Sequence, residues 1–386
     1  METKTEVLIV GAGPSGLATS ACLNVLSIPN VVLEREACTA SLWKLRAYDR
    51  LKLHLAKRFC GLPHMPFPAD APTFVPREQF VAYLDAYQRR FAVAPTCSTV
   101  VELATFDADA EEWTVTASDA VTGELKRYRC RFLVAATGEN SQGFIPGVPG
   151  LETFPGDVVH STTYKSGEAY SGDRVLVVGS GNSGMEIAYD LCDHGAKTSI
   201  VIRSPIHVLT KELIYLGMVM LKYLPVAVVD ALVLLIAKLK YGDLTKLGIV
   251  RPSRGPFRTK IDTGSSSVID VGTIAKIKTG EIKVVESQMK RIKGKEVEFE
   301  NGETHFYDHI VFAAGFRSTV KNWLKDGDAL MDENGMPKEK APRHWKGKNG
   351  LYCVGFAQAG LAGIAMDAQN VANDIKNHRI GLGLID

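Results

Sequence analysis

Residues 7–16 read VLIVGAGPSG and residues 175–184 read VLVVGSGNSG, with seven of ten positions identical at an offset of 168. No other stretch repeats at that period, so the pair marks two copies of one functional unit and not a solenoid. In each copy a short apolar strand runs into G-x-G-x-x-G and then into a helical pattern. That pattern passes through Leu17, Ala21 and Leu23 in the first copy, and through Ile187, Ala188 and Leu191 in the second. A second apolar strand follows each, Val31–Leu33 and Ser199–Ile202, which predicts β-α-β twice. The first glycine of each loop (Gly11, Gly179) permits a tight turn. The second (Gly13, Gly181) lets a pyrophosphate approach the backbone, and the third (Gly16, Gly184) lets helix and strand pack closely. Beyond them, Pro14 and Ser15 in one loop, and Asn182 and Ser183 in the other, open helices whose N-termini offer free N–H groups and a positive dipole end. A lone glycine loop is a weak signal, but here the strand–turn–helix context is met twice. The expected fold is α/β, with two Rossmann-like dinucleotide-binding domains.

The two copies differ where the second strand ends. Glu34 lies 18 residues after Gly16, where an acid accepts hydrogen bonds from a ribose diol. Arg203 lies 19 residues after Gly184, with Ser204 beside it, and no acid stands there. An arginine at that place suits a 2′-phosphate, with Ser204 as a helper, the lesser alternative being a solvated strand-end charge. The first site is therefore expected to hold FAD and the second NADPH, a pair between which electrons pass.

The 386 residues are 46% hydrophobic and 23% charged, values of a globular chain long enough for two or three domains. Lys+Arg number 45 against 43 Asp+Glu, so no excess positive charge favours nucleic acid. Seven scattered cysteines, none in a CxxC pair, argue against a disulfide framework, a zinc site and a dithiol redox centre. They suit a reducing compartment. The run Val7–Val10 leads straight into the glycine loop, leaving no room for a secretory signal, so a cytoplasmic location is expected. The apolar stretch Leu213–Ala237 contains Lys222, Pro225 and Asp230 and is no clean transmembrane span. It reads as two buried or interface helices broken at Pro225, and membrane contact is not expected. A membrane-surface or partner-facing role is the alternative.

Further apolar strands are expected at Leu133–Ala136, before Thr137-Gly138-Glu139-Asn140, and at Ile310–Ala314, before Gly315-Phe316-Arg317. Each marks a crossing between the nucleotide domains. Residues 101–131 read as a strand-rich excursion. Leu351–Gly355 reads as a strand, and Gly360 and Gly363 lead into a helix whose N-terminus suits the flavin's pyrimidine edge. Asp367 reads as an acid in that helix's first turn. The expected domains are an FAD domain of residues 1–165 and 309–386, with an NADPH domain of 166–308 inserted.

Residues Phe154–Tyr164 form F-x-G-x-x-x-H-x-x-x-Y, with His160 and Tyr164 as its last fixed positions. This resembles the identifying motif of class B flavin-dependent monooxygenases. With GAGPSG, GSGNSG and ATGEN, the chain is similar to a flavin-containing monooxygenase from end to end. The segments Tyr48–Leu55, Met65–Pro68 and Val201–Leu209 more narrowly resemble the plant YUCCA family, which makes the auxin indole-3-acetate from indole-3-pyruvate. The resemblance implies that NADPH reduces FAD and that reduced flavin captures O₂ as a C4a-(hydro)peroxide. That adduct attacks the 2-oxo carbon, and CO₂ leaves. The implied partners are a small 2-oxo acid and O₂. The oligomeric state stays open, a homodimer being one option.

The resemblance also bears on single residues. Asn140 is a candidate donor near the peroxide or nicotinamide, or else an Asx-type turn former. His54 stands where many flavin-containing monooxygenases carry Asn, and the YUCCA family resembles this chain there. It could donate to the peroxide, meet the substrate carboxylate, or be a structural histidine. Trp43 could stack near the flavin or pack in the core. Gly138 and Gly355 belong to the flavin site, His160 and Tyr164 are read as structural support, and Lys211 and Arg58 are unranked carboxylate partners. Departures are Ala56 for a usual Pro, Ala314 for a usual Thr, and Phe356-Ala357-Gln358-Ala359 where most YUCCA proteins show an arginine pair. They place the chain on a divergent branch. Two other readings remain, an N- or S-oxygenating monooxygenase and a non-catalytic NADPH-binding flavoprotein sensor. A disulfide reductase of the same architecture is disfavoured because no CxxC exists.

Overall fold

The computed structural model describes residues 2–381. Four-residue runs such as Val7–Val10 and Val175–Val178 have too little polar surface to face water on either side. They become central parallel strands, covered on both faces. Two compact units result. One is built from the chain up to Leu45, Lys57–Gln142 and the chain from Phe316, and the other from Arg46–Ala56 and Gly143–Gly315.

The first unit holds a six-stranded sheet. Its strand order is Asn30–Leu33, Glu2–Val10, Leu125–Ala135, Glu112–Asp119 and Thr99–Asp107, with Leu351–Cys353 also paired to Leu125–Ala135. The last two strands of that order form the expected excursion, an antiparallel hairpin on the long Leu125–Ala135 strand. The parallel registers Val10↔Leu33, Val10↔Ala135 and Cys353↔Ala135 align four strand C-termini, the end at which α/β sheets bind ligands.

The second unit holds a five-stranded, wholly parallel sheet in the order Ile282–Val285, Lys197–Val201, Arg174–Val178, His309–Phe312 and Val158–His160. A three-stranded antiparallel sheet (Met289–Lys293, Glu296–Phe299, Thr304–Phe306) packs nearby through Ile292, Val297 and Phe299. Helices Lys211–Met220 and Val226–Tyr241 stand where the apolar stretch predicts them, with Pro225 capping the second. Among the described residues, no helix is long and apolar enough to cross a membrane.

The unit borders differ from the expected ones. They fall after Gln142 and Gly315, not after 165 and 308, and Arg46–Ala56 joins the second unit. The cause is pairing. Val158–His160 is the edge strand of the second sheet, and Asp49 N donates to Lys165 O at 3.0 Å.

Candidate functional site

The first glycine loop begins where the Glu2–Val10 strand ends. Gly11 has φ +105°, and a Cβ there would sit 2.7 Å from Ala136 O. Its N–H donates to Leu33 O at 2.8 Å. A Cβ on Gly16 would lie 1.8 Å from Gly11 O, so the helix Pro14–Val25 can start only from a glycine. Gly13 is the opposite case, with nothing within 4 Å of its Cβ position, which leaves its backbone open to a phosphate. Pro14 supplies the first helical turn, no side chain caps that end, and Ser15 is buried behind it. Glu34 is buried at the end of the second strand. Its Oε2 accepts from Ala12 N at 2.7 Å, and its Oε1 from Glu36 N at 3.0 Å. Burial raises its pKa, and these two hydrogen bonds oppose the rise. Each oxygen keeps a second lone pair for a ribose hydroxyl, so the residues present fit a dinucleotide.

Gly355 completes this region. Its φ is +88°, and a Cβ would meet Ser15 Oγ at 2.1 Å. Its N–H donates to Asp367 Oδ2 at 3.3 Å. Asp367 is therefore not a first-turn acid. The helix starts at Gly360, and Asp367 is buried two turns on, 3.0 Å from Nε2 of buried His344. Gly138 follows Ala136 with nothing near its Cβ position. Asn140 is exposed in the adjoining turn, which Ser141 Oγ closes by donating to Thr137 O and Gly138 O at 3.0 and 2.5 Å. Trp43 is half-buried, edge-on to Phe80 at 4.6 Å. Near the Ala357–Ala359 segment, a cleft of about 460 Å³ is lined by Arg58, His64, Met65, Ala362 and Ala365.

The second loop repeats the geometry. Gly179 has φ +114° and would meet Ala313 O at 2.5 Å, and a Cβ on Gly184 would lie 1.9 Å from Gly179 O. Gly181 is open. Asn182 Oδ1 accepts from Ile269 N at 2.7 Å, which ties the loop to its neighbour. Arg203 and Ser204 are exposed past the Lys197–Val201 strand, and Arg203 Nη1 donates to Gln288 Oε1 at 3.2 Å.

Behind this loop lies a group of residues of which the sequence reading singles out His54, His160, Tyr164 and Lys211 but misses Glu186, Asp190 and Arg50. Glu186 and Asp190, one turn apart on the helix Asn182–Asp193, are both buried. Tyr48 OH donates to Glu186 Oε2 at 2.9 Å and also bonds Ser183 of the loop. Burial and the Glu186 charge hold the Tyr48 pKa well above its usual value, so the phenol stays a donor. Arg50 lies 3.8 Å from Glu186 and 3.5 Å from Asp190, with its guanidinium 4.3 Å above the Tyr189 ring. His54 Nε2 is 3.7 Å from Glu186 Oε2, so the structure places His54 against this buried carboxylate. Tyr164 OH donates to Asp190 Oδ2 at 2.5 Å, as does Gly167 N at 2.8 Å. His160 Nε2 is 3.1 Å from Gly315 O, and burial lowers its pKa. Burial likewise lowers that of Lys211, opposed by Glu186. In sequence the two acids fall on the polar stripe of this helix, with Asn182, Ser183 and Asp193, so nothing local marks them as buried.

The family described as pyridine nucleotide-disulphide oxidoreductase matches residues 8–214. The chain is 56% identical over 374 residues to the probable indole-3-pyruvate monooxygenase YUCCA10 of Arabidopsis thaliana, covering 97% of this chain and 98% of that one. The chain belongs to the YUCCA family. A second YUCCA relative, indole-3-pyruvate monooxygenase YUCCA1 of rice, is 47% identical over 95% of this chain and 90% of its own length. Among solved structures, the flavin-containing monooxygenase of Stenotrophomonas maltophilia shares the fold with this YUCCA chain. The TM-score is 0.72 at 20% identity, over 97% of this chain and 99% of that one. NADP⁺-bound cyclohexanone monooxygenase of Rhodococcus does so at a TM-score of 0.73 and 16% identity, over 98% and 85%.

Proposed function

We propose that this chain is a flavin monooxygenase that uses NADPH and O₂ to convert indole-3-pyruvate into indole-3-acetate and CO₂. The observation that carries the reading is its near full-length identity with relatives named for that activity. One oxygen atom enters the acid and the other leaves as water, while NADPH supplies two electrons. FAD belongs in the first unit, on Gly11–Gly16 with Glu34 toward the ribose, and NADPH in the second, on Gly179–Gly184 with Arg203 and Ser204 toward the 2′-phosphate. When bound, these groups supply the hydride transfer and the activation of O₂.

The protein's own part is to hold and to select. The two loops present uncapped helix N-termini to phosphates. Tyr48 and Glu186 brace the second loop through Ser183. Arg58, on the cleft beside Ala357–Ala359, is the carboxylate partner in place of the missing arginine pair. The cleft is of small-ligand size. Seven free thiols suit a reducing, cytoplasmic setting.

The test is oxygen uptake by the purified protein with NADPH. Uptake accelerated by indole-3-pyruvate and matched by acid formation supports the reading. Uptake that ignores the 2-oxo acid and ends as hydrogen peroxide contradicts it.

A further inference from the structure

The stretch expected to form buried or interface helices is buried on one side only. Val229, Val233, Ala237 and Tyr241 of the helix Val226–Tyr241 enter the core of the second unit. On its other side Val228, Leu232, Leu235, Ile236 and Leu239 are exposed, spaced as one helical face. Tyr223, in the turn before it, is 81% exposed. Of 19 exposed large apolar side chains among the described residues, 10 lie between Leu216 and Ile261, so the exposure is a patch and not a scatter.

The exposed charges on the helix itself are basic. Asp230, the helix's only acid, turns inward and accepts from Phe257 N at 2.8 Å and Arg258 N at 3.1 Å. Lys222, Lys238 and Lys240 are exposed along the apolar stripe. The nearest exposed acids in sequence, Glu212 and Asp243, stand outside the helix; Asp243 is bound by Thr245, and Glu212 lies within electrostatic reach of Lys240.

We propose that this face docks on an anionic lipid surface, lying on it without spanning it. Apolar side chains enter the acyl boundary, lysines meet acidic headgroups, and a tyrosine suits the headgroup level. A second copy of this chain is the alternative occupant, and self-association tests it. The proposal takes up the membrane-surface alternative for this stretch in place of the expectation against membrane contact.

The test is co-sedimentation of the purified full chain with vesicles of phosphatidylcholine plus phosphatidylserine, and of phosphatidylcholine alone. Binding is expected to the acidic vesicles, weakened by salt. It should fall about fivefold for each of Lys238→Gln and Lys240→Gln, and roughly tenfold or more for Leu235→Asp/Leu239→Asp. These positions are exposed, so an unchanged melting temperature and unchanged NADPH oxidation verify the variants. The proposal is overturned by no pelleting, by equal pelleting on both vesicles, or by self-association of the wild type that Leu235→Asp/Leu239→Asp abolishes without any vesicle binding. The readout does not depend on turnover, so it stands whether or not indole-3-pyruvate is the substrate.

Discussion

Replacing Arg203 by alanine separates coenzyme choice from folding. The side chain is exposed, and its contact within the protein is one 3.2 Å hydrogen bond to Gln288. An exposed substitution of that kind changes stability by less than about 0.5 kcal/mol. Against a 2′-phosphate the same guanidinium makes a charge-assisted hydrogen bond, worth about 1.5–3 kcal/mol. At about 1.4 kcal/mol per tenfold, Arg203→Ala should lower the preference for NADPH over NADH by roughly 10- to 150-fold. Stopped-flow reduction of the bound flavin, with each coenzyme titrated in turn, measures this directly. The NADH rate should hold while the NADPH affinity falls. An unchanged preference would refute the assignment of Arg203 and return it to a solvated strand-end charge. Equal loss for both coenzymes would mean that the residue acts through structure.

Gly16→Ala and Gly184→Ala each force a methyl to within 1.8 or 1.9 Å of a backbone carbonyl oxygen. Each should cost about 4 kcal/mol or more, seen as little folded protein on expression, whereas Gly13→Ala should fold and lose cofactor affinity. Tyr164→Phe removes the 2.5 Å bond to buried Asp190, leaving the carboxylate to Gly167 N and Arg50. Urea unfolding should show a loss of about 1.5–3 kcal/mol. Asp308 is held well below its ordinary pKa of 3.8 by hydrogen bonds from Arg174 and Lys295. A depressed carboxylate stabilises the fold above the unfolded pKa and ceases to as pH falls toward the folded one. The gap in melting temperature between wild type and Asp308→Asn should therefore be open at neutral pH and close below pH 3.8.

The paired loops were legible because the first and third glycines of each answer a local steric demand that no other residue meets. Gly11 and Gly179 sit at positive φ, and Gly16 and Gly184 face a carbonyl within bonding range. Sequence spacing carries such demands intact. The unit borders were less legible, because they depend on partners far away in the chain. Nothing local in Tyr48-Asp49-Arg50 says that it will bind Glu186, Lys165 and Asp190. Asp367 was misplaced for the same reason, since its partner His344 precedes it by 23 positions across a strand and a turn. The outer face of Val226–Tyr241 could not be told from its core face, because a helix with apolar residues on both sides has little amphipathic contrast to read.

The central claim is the reaction, and its most direct test is product analysis by mass spectrometry. The purified protein is incubated with NADPH, O₂ and indole-3-pyruvate, beside phenylpyruvate and a tertiary amine. Enzyme-free controls are needed because 2-oxo acids decompose. The account predicts enzyme-dependent indole-3-acetate carrying one oxygen atom from labelled O₂. NADPH consumption with hydrogen peroxide and no acid, or oxygenation of the amine instead, would contradict it.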